Sequence, residues 1–253
     1  MEKRKLFGIE IDALPMQDAV QRLRQWIDGD GLTCRLVVTP NVDHMVLLRE
    51  NQDFLTAYLD ADLILADGHP IVWASRLLGR PLPERVPGSE LVPELFASYT
   101  QGEQLRVFLL GAAEGVAARA ADNIHRCWTN VAIVGVYSPP IGFEKSQLET
   151  EEILGRITLC QPDVLVVGLG APKQEIWVHR NRHQIAAKVA LCVGATIDFL
   201  AGEKKRAPVW MQKSGIEWLH RLLSEPKRLA LRYAKDAWMF PQIVGRQAIS
   251  QWR

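Results

Sequence analysis

Six short apolar runs, rich in β-branched residues and ending in turn residues, recur along the first 200 positions of this 253-residue chain. They are Arg35 to Thr39, Leu63 to Leu65, Val107 to Leu110, Val131 to Val136, Val164 to Gly168 and Val189 to Val193. Each reads as a buried strand. Helical patterns occupy the intervals: Met16 to Asp28, Val42 to Asp60, Ile71 to Leu78, Leu91 to Tyr99, Gly115 to Cys127, Ser146 to Cys160 and Lys173 to Ile185. This alternation of strand and helix argues an α/β architecture with a mainly parallel sheet covered by helices.

Such a Rossmann-like sheet binds ligands outside the carboxyl ends of its strands. The distinctive residues cluster at those ends. Thr39-Pro40-Asn41 follows the first run, Asp67-Gly68 the second, Gly111-Ala112 the third, Tyr137-Ser138-Pro139-Pro140 the fourth, Gly168-Leu169-Gly170 the fifth and Gly194-Ala195-Thr196 the sixth. One shared crevice is the economical expectation.

Composition changes near Ala207. The segment from Lys204 to Arg253 holds eleven Lys and Arg against three acids, a charge of +8, whereas the first 203 residues sum to −7. Trp210, Trp218, Trp238 and Trp252, half of all eight tryptophans, interleave with Lys213, Arg221, Lys227, Arg228, Arg232 and Lys235. Helices are predicted from Ser214 to Ser224 and from Pro226 to Met239, the second opened by proline at a first-turn position. The chain thus divides into an α/β unit, residues 1–206, and a basic, Trp-rich helical appendage, residues 207–253. A basic appendage with aromatic anchors suits an anionic membrane surface or a phosphate-bearing ligand; the alternative is a solvated hairpin that packs its tryptophans into the core. The acidic first 203 residues disfavour a nucleic acid lying across the molecule.

The longest apolar stretches fall far short of the roughly 20 residues that span a bilayer. Residues Met1 to Glu10 show no signal-peptide core, so a cytoplasmic location is expected. Cys34, Cys127, Cys160 and Cys192 lack metal or redox spacing and read as buried, reduced thiols.

Asp67 follows an apolar run and precedes glycine, so its carboxylate should stand at the sheet mouth, partly desolvated and able to take a proton. Capping of the next helix is the competing role. Gly111-Ala112-Ala113-Glu114-Gly115 reads as a phosphate- or nucleoside-facing turn, although it matches neither G-x-G-x-x-G nor a phosphate-loop signature. Gly168-Leu169-Gly170-Ala171-Pro172-Lys173-Gln174-Glu175 is a second strand-turn-helix junction, from whose first helical turn Gln174 and Glu175 can reach sugar or base hydroxyls. His179 and His183 have the spacing of a zinc pair, but Arg180 and Arg182 between them would repel the ion. No Asp-x-Asp sequence is present to hold a divalent cation against a diphosphate, so arginines such as Arg85 and helix N-termini must neutralise one.

Taken in order, Thr39-Pro40-Asn41, Ala66-Asp67-Gly68, Arg85-Val86-Pro87-Gly88, Gly170-Ala171-Pro172-Lys173-Gln174-Glu175, Gly194-Ala195-Thr196-Ile197-Asp198, Gly215-Ile216-Glu217-Trp218-Leu219-His220-Arg221 and Glu225-Pro226-Lys227-Arg228 closely resemble the WecG/TagA/CpsF glycosyltransferase family over nearly the whole chain. The resemblance implies transfer of a sugar from a UDP-sugar to a polyprenyl-diphosphate-linked saccharide, at the cytoplasmic leaflet, with no metal or cofactor. It implies that Asp67 is the base, that Thr39 and Asn41 line the sugar pocket and that Arg85 contacts the diphosphate. It further implies that Gln174 and Asp198 serve the donor, and that Arg221, Arg228 and Arg232 engage the acceptor pyrophosphate. His69-Pro70 departs from the small or aliphatic residues expected after Gly68, and this departure leaves the donor open among N-acetylmannosamine, its uronic acid and glucose. His69 either contacts the donor sugar or caps the turn, and helix-start logic favours the cap. A non-catalytic nucleotide-sugar-binding protein of the same fold is the alternative. Homo-oligomerisation is left open.

Overall fold

The computed structural model describes residues 2–29, 31 and 33–251. A hairpin of β1 (Lys3–Leu6) and β2 (Ile9–Asp12) comes first, then α1 (Met16–Ile27), β3 (Arg35–Val38), α2 (Val42–Glu50), α3 (Gln52–Leu59) and β4 (Leu63–Ile64). Helices α4 (His69–Leu77) and α5 (Gly88–Ala97) lead to β5 (Leu105–Gly111), α6 (Val116–Cys127), β6 (Val131–Tyr137) and α7 (Gln147–Cys160). The sheet is completed by β7 (Val164–Gly168), α8 (Lys173–Asn181), β8 (Val189–Cys192) and the short α9 (Thr196–Leu200). Three helices end the described chain: α10 (Val209–Lys213), α11 (Glu217–Ser224) and α12 (Pro226–Gln251).

The six apolar runs form one six-stranded sheet in the order β4-β3-β8-β7-β5-β6, every pairing parallel. Alternation along the strands explains why they read as continuous apolar runs. Leu36, Val38, Leu165 and Val167 enter one core, whereas Val37, Val164 and Val166 enter the other. The first core is covered by the hairpin, α2, α3, α7, α8 and α12, the second by α1, α5, α6 and α9. Full burial of each such side chain contributes about 1.5–3 kcal/mol, so two apolar faces hold the sheet.

Several local expectations change. The helix read from Val42 to Asp60 is two helices, because Asn51 leaves helical geometry at φ −130° and its side chain accepts from Phe54 N–H to cap α3. The β1–β2 hairpin was not among the predicted elements. It is tied to the sheet edge by buried Asp12, whose Oδ2 accepts from Ile64 N–H at 2.9 Å. α11 starts at Glu217 rather than Ser214, since Gly215 sits at φ +76°. α12 runs through Pro241 to Gln251 instead of stopping at Met239. Packing of Met239, Phe240, Ile243, Val244 and Ala248 on the first core offsets the ~3 kcal/mol that an interior proline costs. Of the cysteines, Cys34 and Cys192 are buried, Cys160 is half-buried and Cys127 is exposed at the end of α6. Nor do the tail tryptophans enter the core: Trp210, Trp218 and Trp238 are all exposed. Trp252 lies outside the described residues.

Candidate functional site

Helices that follow neighbouring strands β3 and β8 leave to opposite faces of the sheet, α2 into the first core and α9 into the second. This divergence opens a crevice of about 580 Å³ above the carboxyl ends of β4, β3, β8 and β7. The tail helices α11 and α12 supply its far wall.

On the core side, the strand ends are extended by further backbone bonds. Asp67 N–H donates to Pro40 C=O at 2.8 Å, and Val86 N–H donates to Ala66 C=O at 2.7 Å, which brings Asp67, Asn41 and the Arg85 loop together. Thr39 Oγ1 donates to Cys192 C=O at 3.3 Å and is buried. Asn41 Oδ1 accepts from His44 N–H to cap α2, so its amide group is what it can offer a ligand. Gln174 is buried in the wall and its Oε1 accepts from Gly170 N–H at 3.2 Å.

Asp67 is half-buried, and no hydrogen bond to its carboxylate occurs among the described residues. It is not a helix cap: Gly68 occupies that position of α4. Burial pushes its pKa up to about 6, against the pull of Arg221 and Arg85 and with help from Glu217 and Glu90. Arg85 donates to Glu90 Oε1 at 2.8 Å, and Arg206, at the root of the tail, donates to the same oxygen at 2.7 Å.

From the tail, Arg221, Arg228 and Arg232 all line the crevice. Arg221 lies over the Phe199 ring, 5.7 Å from its centroid, Arg228 pairs with Glu225 at 2.5 Å and Arg232 with Asp43 at 3.6 Å. Asp198 also lines the crevice and pairs with Lys204 at 3.8 Å.

Other predicted residues lie elsewhere. Gly111 and Tyr137 end β5 and β6, beyond β7 in the sheet and outside the crevice. Gly111 serves packing: a Cβ there would meet Gly168 C=O at 2.5 Å. The Tyr137 hydroxyl donates to Glu149, and Arg156 covers its ring. Gly168 and Gly170 do line the crevice, but Pro172, after a cis peptide bond, does not. Glu175 is buried behind the wall, where its Oε1 accepts from Gln174 Nε2 at 2.8 Å and burial pushes its pKa up to about 7. It braces Gln174 rather than reaching a ligand. His69 opens α4, packs against Trp73 and lines the crevice instead of capping the turn. His179 bonds Asp60 at 2.8 Å, and His183 lies beyond the end of α8. Among the described residues no group of three or more His, Cys, Asp or Glu is arranged to hold a metal.

Sequence reasoning missed Asp43, Glu217 and Asp236, all crevice residues. Helical spacing was the available signal: Glu217 stands four before Arg221, and Asp236 four after Arg232.

A parallel sheet whose mouth carries a half-buried carboxylate, unbonded among the described residues and acted on by Arg85 and Arg221, has the anatomy of an α/β enzyme for an anionic substrate. The chain belongs to the glycosyl transferase WecG/TagA/CpsF family, whose family model matches residues 4–253. It is 33% identical, over 227 residues, to an N-acetylglucosaminyldiphosphoundecaprenol N-acetyl-beta-D-mannosaminyltransferase of Staphylococcus aureus strain MRSA252, across 90% of this chain and 87% of the relative. Proteins of the same name from strains MW2 and NCTC 8325 are 32% identical with the same coverage.

Proposed function

We propose that the protein is an inverting, metal-independent glycosyltransferase that moves a sugar from a UDP-sugar to a polyprenyl-diphosphate-linked saccharide in cell-surface polysaccharide biosynthesis. The observation that carries this reading is Asp67, a carboxylate raised to about 6 by burial and facing arginines from both core and tail. The acceptor hydroxyl attacks the donor's anomeric carbon, Asp67 takes its proton, and the bond to UDP breaks on the opposite face of the sugar. Arg85 and the backbone N–H groups at the crevice receive the departing diphosphate. Arg85 and those dipoles meet the leaving group's charge in place of a divalent ion, while Arg221, Arg228 and Arg232 hold the acceptor's pyrophosphate. The names of the relatives favour N-acetyl-β-D-mannosamine as the transferred group and N-acetylglucosaminyl-diphospho-undecaprenol as the acceptor. Its uronic acid and glucose are the competing donors.

The tail, residues 207–253, is assigned to acceptor capture at the inner face of the plasma membrane. No helix among the described residues is long and apolar enough to cross a membrane. Exposed Trp210, Trp218, Leu223, Leu231 and Trp238 beside basic side chains favour an interfacial seat. A purely binding role is disfavoured, because a binding module has no use for a desolvated base.

The test is UDP release from a panel of UDP-sugars, with a short-chain polyprenyl-diphospho-N-acetylglucosamine as acceptor, measured with magnesium and again with EDTA. Acceptor-dependent release with one preferred donor is expected. No release with any donor in either condition would remove the enzymatic reading, and release that EDTA abolishes would remove the metal-free one.

A further inference from the structure

Helix α11 brings two charged side chains to the crevice, and the transfer scheme uses only Arg221. The other is Glu217, in the helix's first turn, which makes no hydrogen bond or ion pair among the described residues. Its position is built by a close approach. Gly215 is buried at φ +76°, and a Cβ there would meet the Trp73 ring at 2.7 Å and His69 Cβ at 3.2 Å. The tail backbone therefore rests on α4, the helix that begins just after Asp67. Two residues beyond that contact, Glu217 faces the same part of the crevice as Asp67 and His69, and its charge acts on both.

Charge and spacing decide what Glu217 can hold. A carboxylate accepts hydrogen bonds from hydroxyl or amide N–H groups and repels phosphate oxygens. Glu217 and Arg221 are separated by about 6 Å along the helix axis, four residues at ~1.5 Å each. A sugar 1-diphosphate has this polarity over this length, with donor groups on the ring and anionic oxygens one ring-width away.

Resting on the glycosyl-transfer reading, we propose that Glu217 is an acceptor-binding residue whose carboxylate takes a hydrogen bond from a hydroxyl or acetamido N–H of the saccharide unit next to the diphosphate. It holds that ring while Asp67 removes the proton of the reacting hydroxyl. Its repulsion of phosphate sets the register, confining the pyrophosphate to the Arg221, Arg228 and Arg232 end. Because Glu217 arrives with the tail, the acceptor pocket is complete only when the tail is seated on α4.

The experiment uses the full chain, the preferred UDP-sugar and the same short-chain lipid-diphosphate acceptor, with Glu217→Ala and Glu217→Gln. The acceptor KM should rise about 10- to 100-fold in the alanine variant, the range expected when a hydrogen bond to a charged group is lost, and less in the glutamine variant. UDP affinity measured by titration should be unchanged. The acidic limb of kcat/KM should move to lower pH in both variants, since Glu217 raises the Asp67 pKa. A role limited to the dipole of α11 would lower the melting temperature and leave the acceptor KM and the acidic limb in place, and that result overturns the proposal. The glutamine variant, equal in size, decides between the two outcomes if the alanine variant does not fold. Wild-type protein that releases no UDP with the acceptor overturns both readings; active wild type with an unaltered glutamine variant overturns this one alone.

Discussion

The two walls of the crevice are built by different means. On the core wall, Thr39 and Gln174 are 4% and 2% exposed, and Asp67 is placed by backbone bonds at 2.7–2.8 Å that extend a sheet buried on both faces. The tail wall presents Arg228 and Arg232 with 58% and 41% of their side-chain surface exposed. Among the described residues its ionic ties to the core are few: Arg232 to Asp43, Lys235 to Glu50 and Lys204 to Glu225. The exposed Lys235–Glu50 pair contributes ~0–1 kcal/mol, and the other two are open to solvent on at least one partner and are screened in the same way. An apolar strip of Phe240, Ile243 and Val244 packed on the first core, with Phe240 against Phe7, does most of the holding. A preformed wall suits a base and leaving-group site that must not reorganise, whereas a wall of screened charges suits a long, membrane-borne anion that has to enter and leave.

That contrast can be broken by mutation. Replacing Arg221, Arg228 and Arg232 together by alanine should cut transfer to the lipid-linked acceptor by at least about 10²-fold, two or more charge-assisted bonds being lost. UDP affinity should persist, and an equal loss of both functions would erase the division of labour. A smaller effect is expected at Asp236, buried in the tail wall with Oδ1 unbonded among the described residues and its pKa pushed up to about 6, mainly by burial and then by Asp43. A carboxyl with a raised folded-state pKa holds its proton more tightly folded than unfolded. Its stabilising share is therefore present at low pH and is lost as pH rises through about 6. Asp236→Asn should gain about 2–4 °C in Tm at pH 7.5, the equivalent of ~1 kcal/mol for a chain of this size, and nothing near pH 4. An equal gain at both pH values would remove charge burial as the cause. The smallest change belongs to Lys235→Ala, which should cost under ~1 kcal/mol and leave turnover unaltered. A larger loss on thermal melting would mean that the ionic ties, not the apolar strip, seat the tail.

Much of the core wall was legible because strand ends announce themselves: an apolar run followed by Thr39-Pro40-Asn41 or Asp67-Gly68 states both position and direction. What periodicity does not contain is strand order. Gly111 and Tyr137 carry the same signals as Thr39 and Asp67, yet β5 and β6 lie on the far side of β7, away from the crevice. Side-chain direction is equally hidden where two neighbours share a helix turn. Gln174 reaches the crevice and Glu175 turns behind it, a difference of one residue that only the packed helix decides. The three tail arginines stand out in the sequence as a set, and all three line the crevice, but their acidic companions Asp43, Glu217 and Asp236 do not stand out. An isolated carboxylate reads as ordinary solvated charge until the helices are paired.

The central claim is that Asp67 is the base on the preformed wall. It is tested most directly by single-turnover transfer in Asp67→Asn, read beside UDP affinity and the pH profile of the wild type. The expected result is a rate lower by about 10²- to 10⁴-fold with UDP binding retained. In the wild type, kcat/KM should decline as pH falls below about 6, where the carboxylate takes up its proton. An asparagine variant that transfers at close to the wild-type rate would contradict the claim, whatever the tail contributes.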